Sequence, residues 1–379
     1  MSLRYLRRLG AALLLLPTFA CSRERAPAND DPTRVTIDLS APPRVERWAS
    51  ADCAAQPAAV PCEVSGAEAM DVTARGTWRV VREGLQWQPL RDSSRLVARR
   101  GPGPGELIAP LAIGALDDTV LVVYDVARAK RVEFTPAGMR AEQTVIPPIE
   151  LRAATVRQGR VLAYVTPAAA SLDETVVSAI IAFDATREAW SDTLARFTDE
   201  ASSLVGSADL HRARLPWESR VHWDLCADGS VLVVRSDRWA VARVRGRDTV
   251  QQVVRGGAVS TPFDAAMLAE YLAAWEAGPL RRQPEAMRAS ALEEARQRQV
   301  THAPLIDAVR CGEANQIVVA EAMRPADTMQ TWVRVSADGR EHTRVALPPA
   351  LLPQMVGDVL VGLLDEGAGE RLVRASIGR

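Results

Sequence analysis

The sequence predicts an all-β chain, a six-bladed β-propeller with a short helical insertion. Three observations lead there. From about residue 63 onward, short β-like runs alternate with turn residues. A strand–turn–strand phrase recurs six times, its first apolar strand starting near Trp78, Val120, Val176, Val231, Ile317 and Val359. The steps between these starts are 42, 56, 55, 86 and 42 residues, and the one long step contains a segment with helical periodicity. Six units of this size are what a closed propeller needs, and each is too small to bury a core without its neighbours. A pair of β-sandwiches would also use short strands, but it does not predict a repeated phrase.

The first element is a leader rather than part of the fold. Arg4, Arg7 and Arg8 form a positive stretch before the apolar run Leu9–Leu16, which is too short to span a bilayer. An amphipathic helix is the alternative, but no polar face alternates with the leucines. Residues 1–20 therefore read as a secretion signal. Cys21 follows at the point where the bacterial lipoprotein signal carries its acylated cysteine, and the segment resembles that signal. Thr18 and Phe19 depart from its usual residues, which keeps plain secretion open. The Arg7–Arg8 pair lacks the surroundings of a twin-arginine signal. Residues 21–33 are polar and contain Pro27 and Pro32, as suits a tether between a lipid anchor and a domain.

Residues 34–379 then make the propeller. The strand-like TRVTIDLS near residue 34 belongs to no complete unit, and the last unit is short, so the N-terminal strand is expected to complete the last blade. The clearest phrase is DDTVLVVYD, followed by the alternating AKRVEFTPAG and by MRAEQTVIPP. ETVVSAIIAFDATREAWSDTL is a degenerate copy, and CADGSVLVVRSDRWAVARVRGRDTVQQVV a full one. NQIVVAEAMRPADTMQTWVRVSADGREHTRVALP repeats it, and GDVLVGLLDEGAGERLVRASI closes the chain. Between blades four and five, residues 262–301 read as two helices. Met267, Leu268, Tyr271, Leu272 and Trp275 make one apolar stripe, and Gly278-Pro279 and Pro284 mark the breaks.

Composition narrows the function classes. The chain has 379 residues, with 46 Lys+Arg against 47 Asp+Glu and 47% hydrophobic residues. That excludes a wholly disordered chain, a polytopic membrane protein and a disulfide-stapled miniature. Near-neutral charge argues against nucleic acid as a partner, which would call for a basic excess on one face. Losing a leader with three arginines and no acid leaves the mature chain more acidic than the formal −1.

Five cysteines are present. With Cys21 lipidated, four remain for an oxidising compartment. Cys53 and Cys62 flank a short proline-containing loop and are expected to pair. Cys226 and Cys311 stand just before equivalent strands of neighbouring blades and form the second expected pair, buried free thiols being the alternative. No C-x-x-C occurs, so neither a redox motif nor a thiolate zinc knuckle is supported.

The most specific string runs from Ser94 to Leu107, with Gly101-Pro102-Gly103-Pro104-Gly105-Glu106 at its centre. Read together with the phrase up to Gly138, it resembles the bacterial six-bladed, NHL-related propeller family of secreted, lipoprotein-like proteins. Leu107 stands where that family usually has an aromatic. The resemblance implies a propeller fold and a cell-envelope address, and no settled reaction. Physically, glycines at 101, 103 and 105 allow positive φ while the prolines fix φ between them. The loop then serves either to lock register between blades or to hold a ligand on one face. The Gly-Lys-Ser/Thr ending of a P-loop is missing.

Catalytic signals are weak. His211, His222, His302 and His342 show no helical metal spacing; the resemblance to NHL-like propellers, which include lyases with a metal held by histidines from several blades, implies such a site only if His211, His222 and His302 each lie on an inner loop. Asp117-Asp118, Asp173-Glu174 and Asp365-Glu366 lie at turns and match no calcium loop, though a lone calcium at the axis stays open. No G-x-S-x-G occurs. No cofactor is expected. The best candidate binding patch is Trp217, Arg220, His222 and Trp223, where indoles could stack on a ligand and guanidiniums take anions; Trp223 could equally pack between blades. The helical insertion is the second candidate. The sequence thus favours a cell-envelope binding module for an unidentified protein or small extracellular ligand, reaching the membrane through its N-terminal lipid. A metal-dependent hydrolase or lyase near the propeller axis is the alternative.

Overall fold

The computed structural model describes residues 33–47, 49–50, 63–64, 68–89, 93–167, 175–200, 215, 217–257, 261–297, 300, 302–356, 359–365 and 370–377. The expected leader, tether and Cys21, the Cys53–Cys62 pair, His211 and Asp173-Glu174 lie outside the described residues.

Between Thr33 and Ile377 the described residues form six small sheets in a ring. Four short N-terminal strands come first: β1 (Arg34–Ile37), β2 (Arg44–Val45), β3 (Ala49–Ser50) and β4 (Glu63–Val64). Blade one is β5 (Ala69–Thr73), β6 (Gly76–Val81), β7 (Gly84–Pro89) and β8 (Arg95–Arg99). Blade two is β9 (Pro110–Ala115), β10 (Leu121–Asp125), β11 (Lys130–Thr135) and β12 (Gly138–Thr144). Blade three is β13 (Leu151–Arg157), β14 (Arg160–Val165), β15 (Thr175–Asp184) and β16 (Ala189–Glu200). Blade four is β17 (Val221–Leu225), β18 (Val231–Arg235), β19 (Ala240–Arg245) and β20 (Asp248–Arg255). Helices α1 (Ala265–Ala277) and α2 (Glu285–Gln297) follow. Blade five is β21 (Ile306–Cys311), β22 (Ile317–Glu321), β23 (Gln330–Val335) and β24 (His342–Leu347), and blade six is β25 (Leu351–Val356), β26 (Val359–Asp365) and β27 (Glu370–Ser376).

Each blade is an antiparallel meander. The first strands of neighbouring blades lie side by side, β25 by β5, β5 by β9, β9 by β13, β17 by β21 and β21 by β25. Arg157 of β13 reaches Asp224 of β17, which completes the circle. The first strand of each blade therefore lines the axis.

The core is divided into slabs, one between each pair of blades, as strand alternation requires. On β10, Leu121 and Val123 pack toward blade one while Val122 and Tyr124 pack toward blade three. On β22, Ile317 and Val319 face blade four, Val318 and Ala320 face blade six. Because both faces of these second strands are buried, they read as unbroken apolar runs rather than alternating ones. At the axis the blades come very close. A Cβ on Gly114 of β9 would sit 2.4 Å from the Val156 carbonyl oxygen of β13, so only glycine lets these two strands approach.

Two expectations need correction. The strand beginning at residue 34 does not complete the last blade. β1 adds in parallel to the outer edge of blade four, with Val35 opposite Val253, and β2 adds in parallel to blade five. The outer position on β27 is taken by β3 and β4, both antiparallel. The reason lies in the cover each strand finds: Ile37 and Leu39 are buried in the slab between blades four and five. The Arg344 guanidinium then holds the Leu39 and Ala41 carbonyls at 2.8 Å each while pairing with Glu321, which also pairs with Arg255. The second correction is that Val176 begins the third strand of blade three, not its first apolar strand. Its inner hairpin is β13–β14, and the unusually long β15 and β16 dominate the local apolar pattern.

Candidate functional site

The antiparallel order places the N-terminal ends of the innermost strands at one mouth of the axial channel and their C-terminal ends at the other. At the first mouth the channel is open to solvent. Ala153, in the middle of β13, and Asp307, near the start of β21, are both exposed although they belong to innermost strands. Asp307 accepts from the Met323 amide at 3.2 Å and faces the Arg220 guanidinium. Desolvation by the surrounding channel wall raises its pKa, with those two neighbours pulling it back down.

Toward the other end the channel meets a charged tier built from five blades. Asp71 comes from β5, the Ala115 amide from β9, Arg157 from β13, Asp224 from β17 and Arg310 from β21. Arg157 Nε donates to Asp224 Oδ1 at 2.7 Å. Asp224 also accepts from the amides of Leu225 and Cys311, both at 3.0 Å. Asp71 accepts from the Val72 amide at 3.0 Å and from the Ala115 amide. Both carboxylates are thus engaged by the protein itself. The Asp224 charge holds the Arg157 guanidinium above its usual pKa.

Arg310 is different. Its Nη1 donates to the Val309 carbonyl at 2.9 Å, its buried Nε has no acceptor, and no carboxylate pairs with it among the described residues. Burial pulls its pKa down, and Asp224 and Arg157 are its electrostatic neighbours. The Cys226–Cys311 disulfide stands beside this tier and ties β21 to the end of β17, with a Cα–Cα distance of 5.2 Å.

The expected binding patch comes apart in three dimensions. Trp217 is fully buried beneath α1, with ring centroids 5.5 Å from Tyr271, 5.8 Å from Trp275 and 6.3 Å from Phe263. It is the core of the helical insertion and offers no face to a ligand. Trp223 is half-buried in the slab between blades three and four, beside Leu162 and Tyr164. Arg220 and His222 stay near the channel, and strand alternation puts His222 on the same side of β17 as Asp224. Among the described residues, no three His, Cys, Asp or Glu side chains gather as a metal site would need.

The glycine-rich loop folds onto itself. Glu106 Oε2 accepts from the Gly103 amide at 2.8 Å, and Leu107, fully buried, packs between blades one and two. A Cβ on Gly101 would lie 2.2 Å from that same oxygen. Gly105 has φ +71°, in the left-handed region. Asp125 receives the Ile108 and Ala109 amides at 2.6 and 3.1 Å, and Arg128 Nη1 donates to the Glu106 carbonyl at 2.6 Å. With its polar groups spent internally, the loop is built as a clamp between blades.

A cleft of about 560 Å³ between blades two and three is lined by Arg131, Arg160, Arg187, Asp184 and Asp192. Its charges are paired: Arg160 with Asp192 at 2.5 Å, Arg187 with Asp184 at 3.6 Å and Arg131 with Glu133 at 2.7 Å.

No family model matches the chain, and no curated protein matches it in sequence. Solved structures do resemble it. One, described as an exported protein of Bacteroides fragilis, is 10% identical with a TM-score of 0.45, over 92% of this chain and 99% of that one. A protein of Bacteroides vulgatus is 8% identical with a TM-score of 0.44, over 83% and 92%. Virginiamycin B lyase from Staphylococcus aureus is 12% identical with a TM-score of 0.33, over 79% and 77%. These likenesses assign no activity or ligand to this chain. No helix among the described residues is long and apolar enough to cross a membrane.

Proposed function

We propose that this chain is an exported cell-envelope binding module that takes a small molecule into its axial channel. The observation carrying this reading is the convergence of Asp71, Arg157, Asp224 and Arg310, from four different blades, on one tier of the axial channel. Grouping charges this way costs desolvation, and a fold seeking only stability would do as well with apolar side chains there. Clefts with convergent polar groups and shifted pKa values are the usual form of a ligand site.

The address rests on the leader and on Cys21. NHL-like ancestry and a lipid anchor at Cys21 belong to the same proposal, supported by the string from Ser94 to Leu107 and by the cysteine after the apolar run. Intact mass of the membrane-extracted protein tests the anchor. A lipid-sized increment at Cys21 supports it, and an unmodified N-terminus elsewhere removes it.

The channel is tested by thermal denaturation against a panel of small molecules. A ligand using the channel raises Tm in a saturable way in the wild type. It loses that effect in Ala153→Trp, which fills the channel at an exposed position. Stabilisation that survives Ala153→Trp places the ligand elsewhere.

A further inference from the structure

The donor and acceptor inventory of the tier is lopsided. A carboxylate offers acceptors only, and a guanidinium offers five N–H donors. Asp224 spends one oxygen on Arg157 and the Leu225 amide and the other on the Cys311 amide. Asp71 spends its two oxygens on the Val72 and Ala115 amides. The acidic side of the tier is therefore satisfied by the fold. The basic side is not. Arg157 gives Nε to Asp224 and, at 3.5 Å, Nη1 to the Val156 carbonyl, and its side chain is 27% exposed. Arg310 gives Nη1 only to a backbone carbonyl. Arg310 is half-buried, and its Nε–H is sealed from water without an acceptor among the described residues.

We infer that the axial tier binds an oxyanion, a carboxylate or phosphate group of a small molecule, held by Arg310 together with the remaining donors of Arg157. Resting on the channel reading above, this names the chemistry the channel selects. Guanidinium forks match planar carboxylates and phosphates in a bidentate way, and they do so most strongly where water is partly excluded. Asp224 orients Arg157, and both aspartates are already engaged, so neither competes for the remaining guanidinium donors. Arg310 stands one residue before Cys311, whose disulfide to Cys226 and amide bond to Asp224 fix the backbone that carries it.

The test is calorimetric titration of the disulfide-intact protein with succinate, citrate and inorganic phosphate, and with glucose and spermidine as neutral and cationic probes. Wild type, Arg310→Met, Arg310→Lys and Ala153→Trp are compared, each checked for native circular dichroism. The expected result is saturable binding of at least one anion. That binding should weaken at least about tenfold in Arg310→Met, recover in part in Arg310→Lys, and be lost in Ala153→Trp. Preference between the carboxylates and phosphate tells the two sources apart. Glucose or spermidine binding that Ala153→Trp blocks and Arg310→Met leaves unchanged overturns the oxyanion inference and keeps the channel. Anion binding indifferent to Ala153→Trp overturns the channel reading itself. Failure of every anion to bind at millimolar concentration overturns the inference.

Discussion

Asp71 carries the residue-scale consequence most amenable to measurement. Its carboxyl sits on the innermost strand of blade one, and burial raises its pKa against opposing pulls from the Ala115 amide, Arg157 and the Val72 amide. A carboxyl raised in the folded state contributes stability while protonated, below the ordinary carboxylate range. That contribution is lost as pH rises through the raised folded value. Asp71→Asn, neutral throughout, should therefore gain on the wild type in urea-denaturation free energy as pH goes from about 4 to about 7. A constant difference over that range contradicts the raised pKa. None of the tier was found from sequence. Asp71, Arg157 and Arg310 lie far apart in the chain, and only ring closure assembles them. A usable signal was present nonetheless: a charge flanked on both sides by apolar residues within a strand, Asp71 in AMDVT and Arg310 in IDAVRC. The sequence-dense patch from Trp217 to Trp223 misled because a loop and a strand that are neighbours in the chain bury their tryptophans in different cores.

Elements differ in how plainly they announce themselves. The helical insertion was legible because its stripe is complete: Met267, Tyr271 and Leu272 are buried and Leu268 and Trp275 pack beside them. Asp264 caps α1 by accepting from the Met267 amide at 2.8 Å, and Gly278 ends the helix ahead of Pro279. Its missing piece was Trp217, which arrives from the blade three to blade four connection. Trp217→Ala should cost about 3–5 kcal/mol within the insertion, as large-to-small changes in a packed aromatic core do. Hydrogen exchange should then show α1 and α2 losing protection while β18 and β22 keep theirs. Equal loss across the blades would mean the insertion is inseparable from the ring. The N-terminal strands were legible as strands but not in their destinations. Alternation says that Val35 and Ile37 need cover, whereas the edge that supplies it depends on apolar groups more than two hundred residues away. Pairing along blades four, five and six also caps outer edges that would otherwise present unpaired backbone groups.

For the whole molecule, the six-unit count followed from the recurring phrase: in five blades the anchoring run lies on the second strand, as in LVVYD and IVVAE, and in blade three on the third. Step length was a poorer guide, because blade three spends its extra residues on a long outer hairpin and the insertion lengthens the next step. Ring closure falls to non-covalent pairing of β3 and β4 with β27, while the Cys226–Cys311 disulfide ties blade four to blade five across a sequence separation of 85. A cross-link closing so long a segment is worth on the order of 4 kcal/mol through the unfolded chain. The paired Cys226→Ala and Cys311→Ala variant should lose about that much in guanidinium denaturation, and an unchanged midpoint would contradict it. The most direct test of the axial oxyanion site is anomalous diffraction from a crystal soaked in bromide, an anion small enough to enter the channel. An oxyanion site predicts a bromide peak within hydrogen-bond distance of both Arg157 and Arg310 that is missing in Arg310→Met; bromide confined to the outer surface, with the tier empty, would contradict it.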